Sequence, residues 1–107
     1  MVSSNADNTK AKNGDTITLT FTSDEPVTKL SNFKINSSNP NTFTNVGNVY
    51  TATHLVDVGD IVGTTATFQI NVKNAAGIYS LTVERTTDGS SVTIVVAKLL
   101  LPEMLLT

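Results

Sequence analysis

Between Thr16 and Thr22 apolar and hydroxylated residues alternate without a break, with Ile17, Leu19 and Phe21 set among threonines after the turn pair Gly14-Asp15. Side chains two apart share one face of a pleated strand, and threonine suits a solvated face, so 14–22 reads as a half-buried strand. A sheet with one dry and one wet face points to antiparallel pairing rather than to a doubly covered parallel sheet. The same period marks Phe68, Ile70 and Val72, and again Tyr79, Leu81 and Val83, whose neighbours Ser80, Thr82 and Glu84 are placed on the outer face. In 49–56 two rows compete, Tyr50, Ala52, His54 and Val56 against Val49, Thr51, Thr53 and Leu55, and the tyrosine row is taken as the buried one.

Turn-forming clusters separate these runs at short intervals: Lys12-Asn13-Gly14, Ser23-Asp24-Glu25-Pro26, Ser37-Ser38-Asn39-Pro40-Asn41, Val46-Gly47-Asn48, Asp57-Val58-Gly59-Asp60, Gly63, Asn74-Ala75-Ala76-Gly77 and Asp88-Gly89. Further strands are expected over 29–35, near Phe43, and over 49–56, 66–72, 79–85 and 92–96. Many short strands and no helical period predict an all-β chain: a two-sheet antiparallel immunoglobulin-like β-sandwich of about seven strands. Its expected core is Ile17, Leu19, Phe21, Leu30, Phe33, Ile35, Tyr50, Phe68, Ile70, Val72, Tyr79, Leu81 and Val83.

The 107 residues suit one domain with a core of its own, assigned to 1–94, followed by an apolar tail, 95–107, that extends the last strand or links onward. That tail is too short, and too interrupted by Lys98, Pro102 and Glu103, to span a bilayer, so it either packs on this or a neighbouring domain or drives self-association. Met1 is read as an expression start on a domain cut from something longer. With no cysteine, disulfides, thiolate metal sites and thiol nucleophiles are excluded. A net charge of −2, with seven dispersed basic residues, argues against a nucleic-acid partner, which needs a basic stripe.

Catalytic chemistry finds few parts. His54 is the single histidine, and its strand position favours a packed side chain over a Ser-His-Asp base. Asp24 and Glu25 are adjacent, so on a strand they face opposite ways. The sequence Asp57-Val58-Gly59-Asp60 offers oxygen ligands for calcium, yet aspartate and glycine are also what a tight turn demands, and the turn is the plainer reading. Lys10, Lys12 and Lys29 lie near early strands, but no asparagine follows Asn74 to complete an intramolecular isopeptide bond. Asn36-Ser37-Ser38 forms a glycosylation sequon of the kind that arises by chance in asparagine-rich chains. No catalytic, cofactor-binding or metal-ligating residues are assigned.

Three segments together, Gly14-Asp15-Thr16-Ile17-Thr18-Leu19-Thr20-Phe21-Thr22-Ser23-Asp24-Glu25-Pro26-Val27, Asn48-Val49-Tyr50-Thr51-Ala52-Thr53 and Ala75-Ala76-Gly77, with Asp88-Gly89-Ser90-Ser91 closing, resemble the bacterial immunoglobulin-like repeat of large surface and secreted proteins. The resemblance covers roughly residues 2 to 94. It implies the sandwich fold, an extracellular or cell-surface location, neighbouring copies of the same domain as partners, and a non-enzymatic role as spacer, stalk or adhesion module. Asn74 and Ile78 flank the Ala-Gly turn where the repeats carry an acid and an asparagine, which removes calcium binding or capping at that turn from what the resemblance implies. The alternative is an accessory module that binds carbohydrate, or a host or matrix protein, for a secreted glycan-active enzyme. Sugar platforms need exposed aromatics. With no tryptophan, two tyrosines and four phenylalanines, Phe43 and Tyr79 are the candidates for stacking.

Overall fold

A computed structural model describes residues 1–95, which form an all-β fold with no helix among them. The longest strands are β3 (Thr16–Thr22) and β7 (Val49–Leu55), joined in an antiparallel ladder from Thr16↔Leu55 to Thr22↔Val49. Cross-strand partners share a face, so Ile17, Leu19 and Phe21 meet His54, Ala52 and Tyr50. That face is the dry one: Ile17, Leu19, Ala52, His54 and Tyr50 are all buried, while Val49 and Leu55 on the other row are 44% and 48% exposed. The tyrosine row is therefore the inner row, the one of the two alternating rows taken as buried. β1 (Val2–Ser3) pairs with the far side of β3, and β6 (Thr42–Val46) with the far side of β7, giving a four-stranded sheet in the order β1-β3-β7-β6. Gly47-Asn48 is the two-residue connection between β6 and β7, and Gly47 supplies the φ of 60° that the first central position of such a hairpin needs.

Shorter ladders make the rest. β4 (Val27–Lys29) pairs antiparallel with β9 (Val72–Asn74), β5 (Lys34–Ile35) antiparallel with β8 (Phe68–Gln69), and β10 (Thr93–Ile94) parallel with β2 (Lys10–Ala11). Each expected long strand on this side is thus broken: 29–35 by a turn closed through Phe33 N–H to the Leu30 carbonyl, and 66–72 at Ile70-Asn71, where Asn71 turns inward. β1 and β2 carry no signal in the sequence, since two-residue pairings leave no period to read. Segment 79–85 is no continuous strand; it touches the ladder only at the bridges Lys73↔Tyr79 and Ile70↔Val83. From Val96 onward the apolar tail lies outside the described residues.

One apolar cluster draws on all these pieces: Ile17, Leu19 and Ala52 from the large sheet, Phe33, Ile35, Phe68, Ile70 and Val72 from the short ladders, with Ala11, Val56, Ala66, Val92 and Ile94 closing one end. Phe21, Phe33, Phe43 and Tyr50 fill the other end as an aromatic group, with Phe21 and Tyr50 stacked at 5.3 Å and Phe33 edge-on to Phe43 at 5.3 Å. The Tyr50 hydroxyl accepts the Val27 N–H at 2.9 Å and so ties β4 to the large sheet. The expected core needs correction at four positions. Leu30 is half-buried, and Tyr79, Leu81 and Val83 are 66%, 89% and 43% exposed. The reason is polar: Thr82 donates to the buried Asn71 side chain at 2.7 Å and the Ser80 hydroxyl accepts the Val72 N–H at 3.2 Å, so these hydroxyls turn toward 71–72 and Tyr79 and Leu81 turn away, while 79–83 stays exposed along its length.

Candidate functional site

His54 stands on β7 opposite Ile17 and sends its ring into the interior, where Nε2 lies 3.0 and 3.1 Å from the two carboxylate oxygens of Asp60. Both side chains are about as buried as the core, at 4% and 5% exposure. Asp60 also accepts the Asp57 N–H at 2.8 Å, which closes the 57–60 turn, and the side-chain amide of Asn36. Burial would raise the Asp60 pKa, but the Asp57 N–H, the Asn36 amide and His54 outweigh it and hold the carboxyl below its ordinary value. Asn36 reaches Asp60 because Asn36 and Ser37 occupy positive φ, 50° and 66°, in a tight hairpin whose ends, Ile35 and Ser38, exchange two backbone hydrogen bonds. One carboxylate thus clamps a strand, a hairpin and a turn. Among the described residues the other ring nitrogen, Nδ1, is buried without a hydrogen-bond partner, so they supply no third member of a nucleophilic triad.

The remaining acids flagged by the sequence serve their own turns. Asp57 Oδ1 accepts the Gly59 N–H at 2.8 Å, so this carboxylate is committed to the loop itself. Asp24 and Glu25 are exposed in a turn where the Ser23 hydroxyl donates to the Glu25 carbonyl at 2.7 Å. Among the described residues no three His, Asp or Glu side chains gather as a cation site. Lys10 pairs with Asp7 at 3.9 Å at the surface and Lys12 with Asp15 at 3.0 Å across one turn. Asp15 was not singled out by the sequence, yet it is buried at the entry to β3 and accepts the Lys12 N–H and the Asn5 amide, both at 2.9 Å. Those bonds, the Lys12 N–H first, bring its pKa down to about 2. Of the stacking candidates, Phe43 belongs to the aromatic end of the core and Tyr79 is exposed.

A concave feature lies elsewhere. An open groove of about 800 Å³ is bordered by Lys34, Thr67, Phe68, Gln69, Glu84 and Arg85, and continues past Thr86, Ser90 and Ser91 to Met1. Its origin is an imbalance in the ladder. Between the bridges Thr65↔Thr93 and Ile70↔Val83, one chain takes five steps, from 65 to 70, and the other ten, from 83 to 93, so 84–91 bows away from β8. The amides of Ala66 and Ile70 still bridge the interval, donating to Val92 at 2.7 Å and Val83 at 2.9 Å. Phe68 lies between them on the same side. Ile35 spends its backbone groups on Ser38, and the Asn36 N–H goes to Thr67, so Ile35↔Phe68 is a rung without hydrogen bonds and the Phe68 N–H and C=O point toward 84–91. No backbone hydrogen bond joins either of them to 84–91. Sequence reasoning missed this groove because no motif encodes it. No family model, curated protein or solved structure matches this chain.

Proposed function

We propose that this chain is a non-enzymatic immunoglobulin-like module of a bacterial cell-surface or secreted multidomain protein, serving as a spacer in a stalk or in adhesion. The observation that carries the reading is the order of strand pairing. The sheet β1-β3-β7-β6 has the A-B-E-D order of a constant-type immunoglobulin sheet, and β4 and β5, β8 and β9, then 79–83 and β10 follow one another as C, F and G of a facing sheet. The first strand divides between the two, β1 pairing with β3 and β2 with β10. A two-sheet sandwich of about seven strands accounts for all four ladders, with each broken strand counted once.

Chain direction supports the spacer role. β1 runs antiparallel to β3, toward the end of the molecule that holds the Lys12–Asp15 turn, and β10, parallel to β2, runs toward that same end. A preceding module would therefore attach at the pole of Gly47-Asn48 and a following one at the pole of Gly63, head to tail. The reading calls for no cofactor, and its partners are neighbouring modules of the same chain. Small-angle scattering of one, two and three copies joined in tandem tests it: maximum dimension should grow by one module length per copy, and a two-copy chain no longer than a single copy would sink the stalk. The 800 Å³ groove favours a second reading, an accessory module holding a glycan or protein ligand for a secreted glycan-active enzyme.

A further inference from the structure

We infer that the groove beside β8 is a docking site for a short, extended, acidic peptide segment of a partner protein, which restores the missing rung at Phe68 and sets its carboxylates against Lys34 and Arg85. This names a partner chemistry for the adhesive side of the function proposed above. The backbone argues for a peptide. Phe68 presents a donor and an acceptor side by side, as in one hydrogen-bonded residue pair of an antiparallel ladder, and the 800 Å³ groove opens between it and the bowed segment 84–91. An amide backbone satisfies both groups with one residue.

The side chains argue for acid. Lys34 and Gln69 are cross-strand partners on the outer face, opposite in sense to buried Ile35 and Phe68. In a peptide whose central residue pairs with Phe68, that residue's side chain points inward and its two neighbours point outward, beside Lys34, Gln69 and Arg85. The pattern that fits is acid, small apolar, acid. Arg85 is exposed and in no ion pair among the described residues, and the Lys34 ammonium donates only to the Asn39 side chain. Two cations against the single carboxylate of Glu84 leave the rim positive, and a charge-assisted hydrogen bond from Arg or Lys to carboxylate is stronger than a neutral one.

The test is amide-shift mapping on the ¹⁵N-labelled chain with the capped peptide acetyl-Thr-Glu-Val-Glu-Thr-amide. Saturable shifts are expected at Phe68, Thr67, Gln69 and 84–91, weakening with salt. The same peptide with lysines in place of glutamates, or with a methyl on the valine nitrogen, should bind at least tenfold more weakly, as should the original peptide to Arg85→Glu. Lys34→Gln provides the same check if Arg85→Glu disturbs the spectrum of the free protein. No shifts at millimolar peptide, shifts centred elsewhere, or equal binding by the lysine or N-methyl peptide would overturn the proposal. Scattering from tandem copies does not depend on this groove, so the stalk and the docking site fail separately.

Discussion

The β3–β7 ladder and segment 78–91 begin from the same pattern and end opposite. Both alternate apolar residues with hydroxylated ones, yet Ile17 and Leu19 are sealed in while Tyr79 and Leu81 stand in solvent. What separates them is the partner available to the polar row. Behind the 79–83 row lies Asn71, 4% exposed, whose amide donates to the Asn32 carbonyl at 3.0 Å and whose oxygen takes the Thr82 hydroxyl. A buried amide left unpaired is costly, so the Thr82 hydroxyl turns toward it, and Tyr79 and Leu81 turn away. Alternation tells that a chain has two faces; the satisfaction of polar atoms beside it tells which face turns toward its neighbour.

The largest expected effect lies on the sealed side. Phe33 is fully buried and meets both Phe21 and Phe43, so Phe33→Ala should cost about 3–5 kcal/mol through lost burial and the cavity left behind. Urea unfolding checks it, and a loss below about 1 kcal/mol would show that the aromatic end is not part of the cooperative core.

The contrast also explains how far the sequence could be read. The alternating rows of β3 and β7 announce themselves, and so does the Gly47 hairpin, because period and turn chemistry are local. The all-β class follows from them, whereas the inward face of Tyr50 does not follow from period alone, because both rows of 49–56 alternate. The His54–Asp60–Asn36 clamp was half legible: the acid and the histidine were in view, but their meeting depends on a hairpin 24 positions before Asp60. The groove was not legible at all, since it arises from a mismatch in step number between two paired segments, and such a count exists only once register is set.

If Asn71 decides which row of 79–83 faces inward, the effect should be cooperative. Asn71→Ala removes the acceptor of Thr82 and the donor to Asn32 and should cost about 2 kcal/mol. Thr82→Ala should cost about 1 kcal/mol alone and little once Asn71 is gone, because the two act as one pair. A double-mutant cycle measured by urea melts reads this directly, and strict additivity would refute the shared role.

Acid distinguishes the same two regions. Asp15 at the entry to β3 has its pKa lowered from 3.8 to about 2, and Asp60 under β7 is lowered as well, whereas Asp88 in the bowed segment, also lowered by bonds from Ser90, is fully exposed. A carboxyl depressed by folding contributes its full stabilisation above the unfolded value and loses it as pH falls through the folded one. The wild-type melting temperature should therefore drop between about pH 4 and pH 2. Asp15→Asn should be less stable at pH 7 by roughly 1–2 kcal/mol and should converge on the wild type near pH 2. Parallel melting curves across that window would mean that Asp15 is not coupled to folding.

The smallest effect is expected at Leu81, and it bears hardest on the contrast. Had the row Tyr79, Leu81 and Val83 been core, replacing this leucine by serine would open a cavity and cost several kcal/mol. At 89% exposure the side chain has little burial to lose, so Leu81→Ser should leave stability within about 0.5 kcal/mol of the wild type. The substitution leaves the inward bonds of Ser80 and Thr82 untouched. Comparing its urea midpoint with that of Phe33→Ala places the two rows on one scale, and a cost at Leu81 approaching that at Phe33 would return the row to the interior and reverse the polar argument that turned it out.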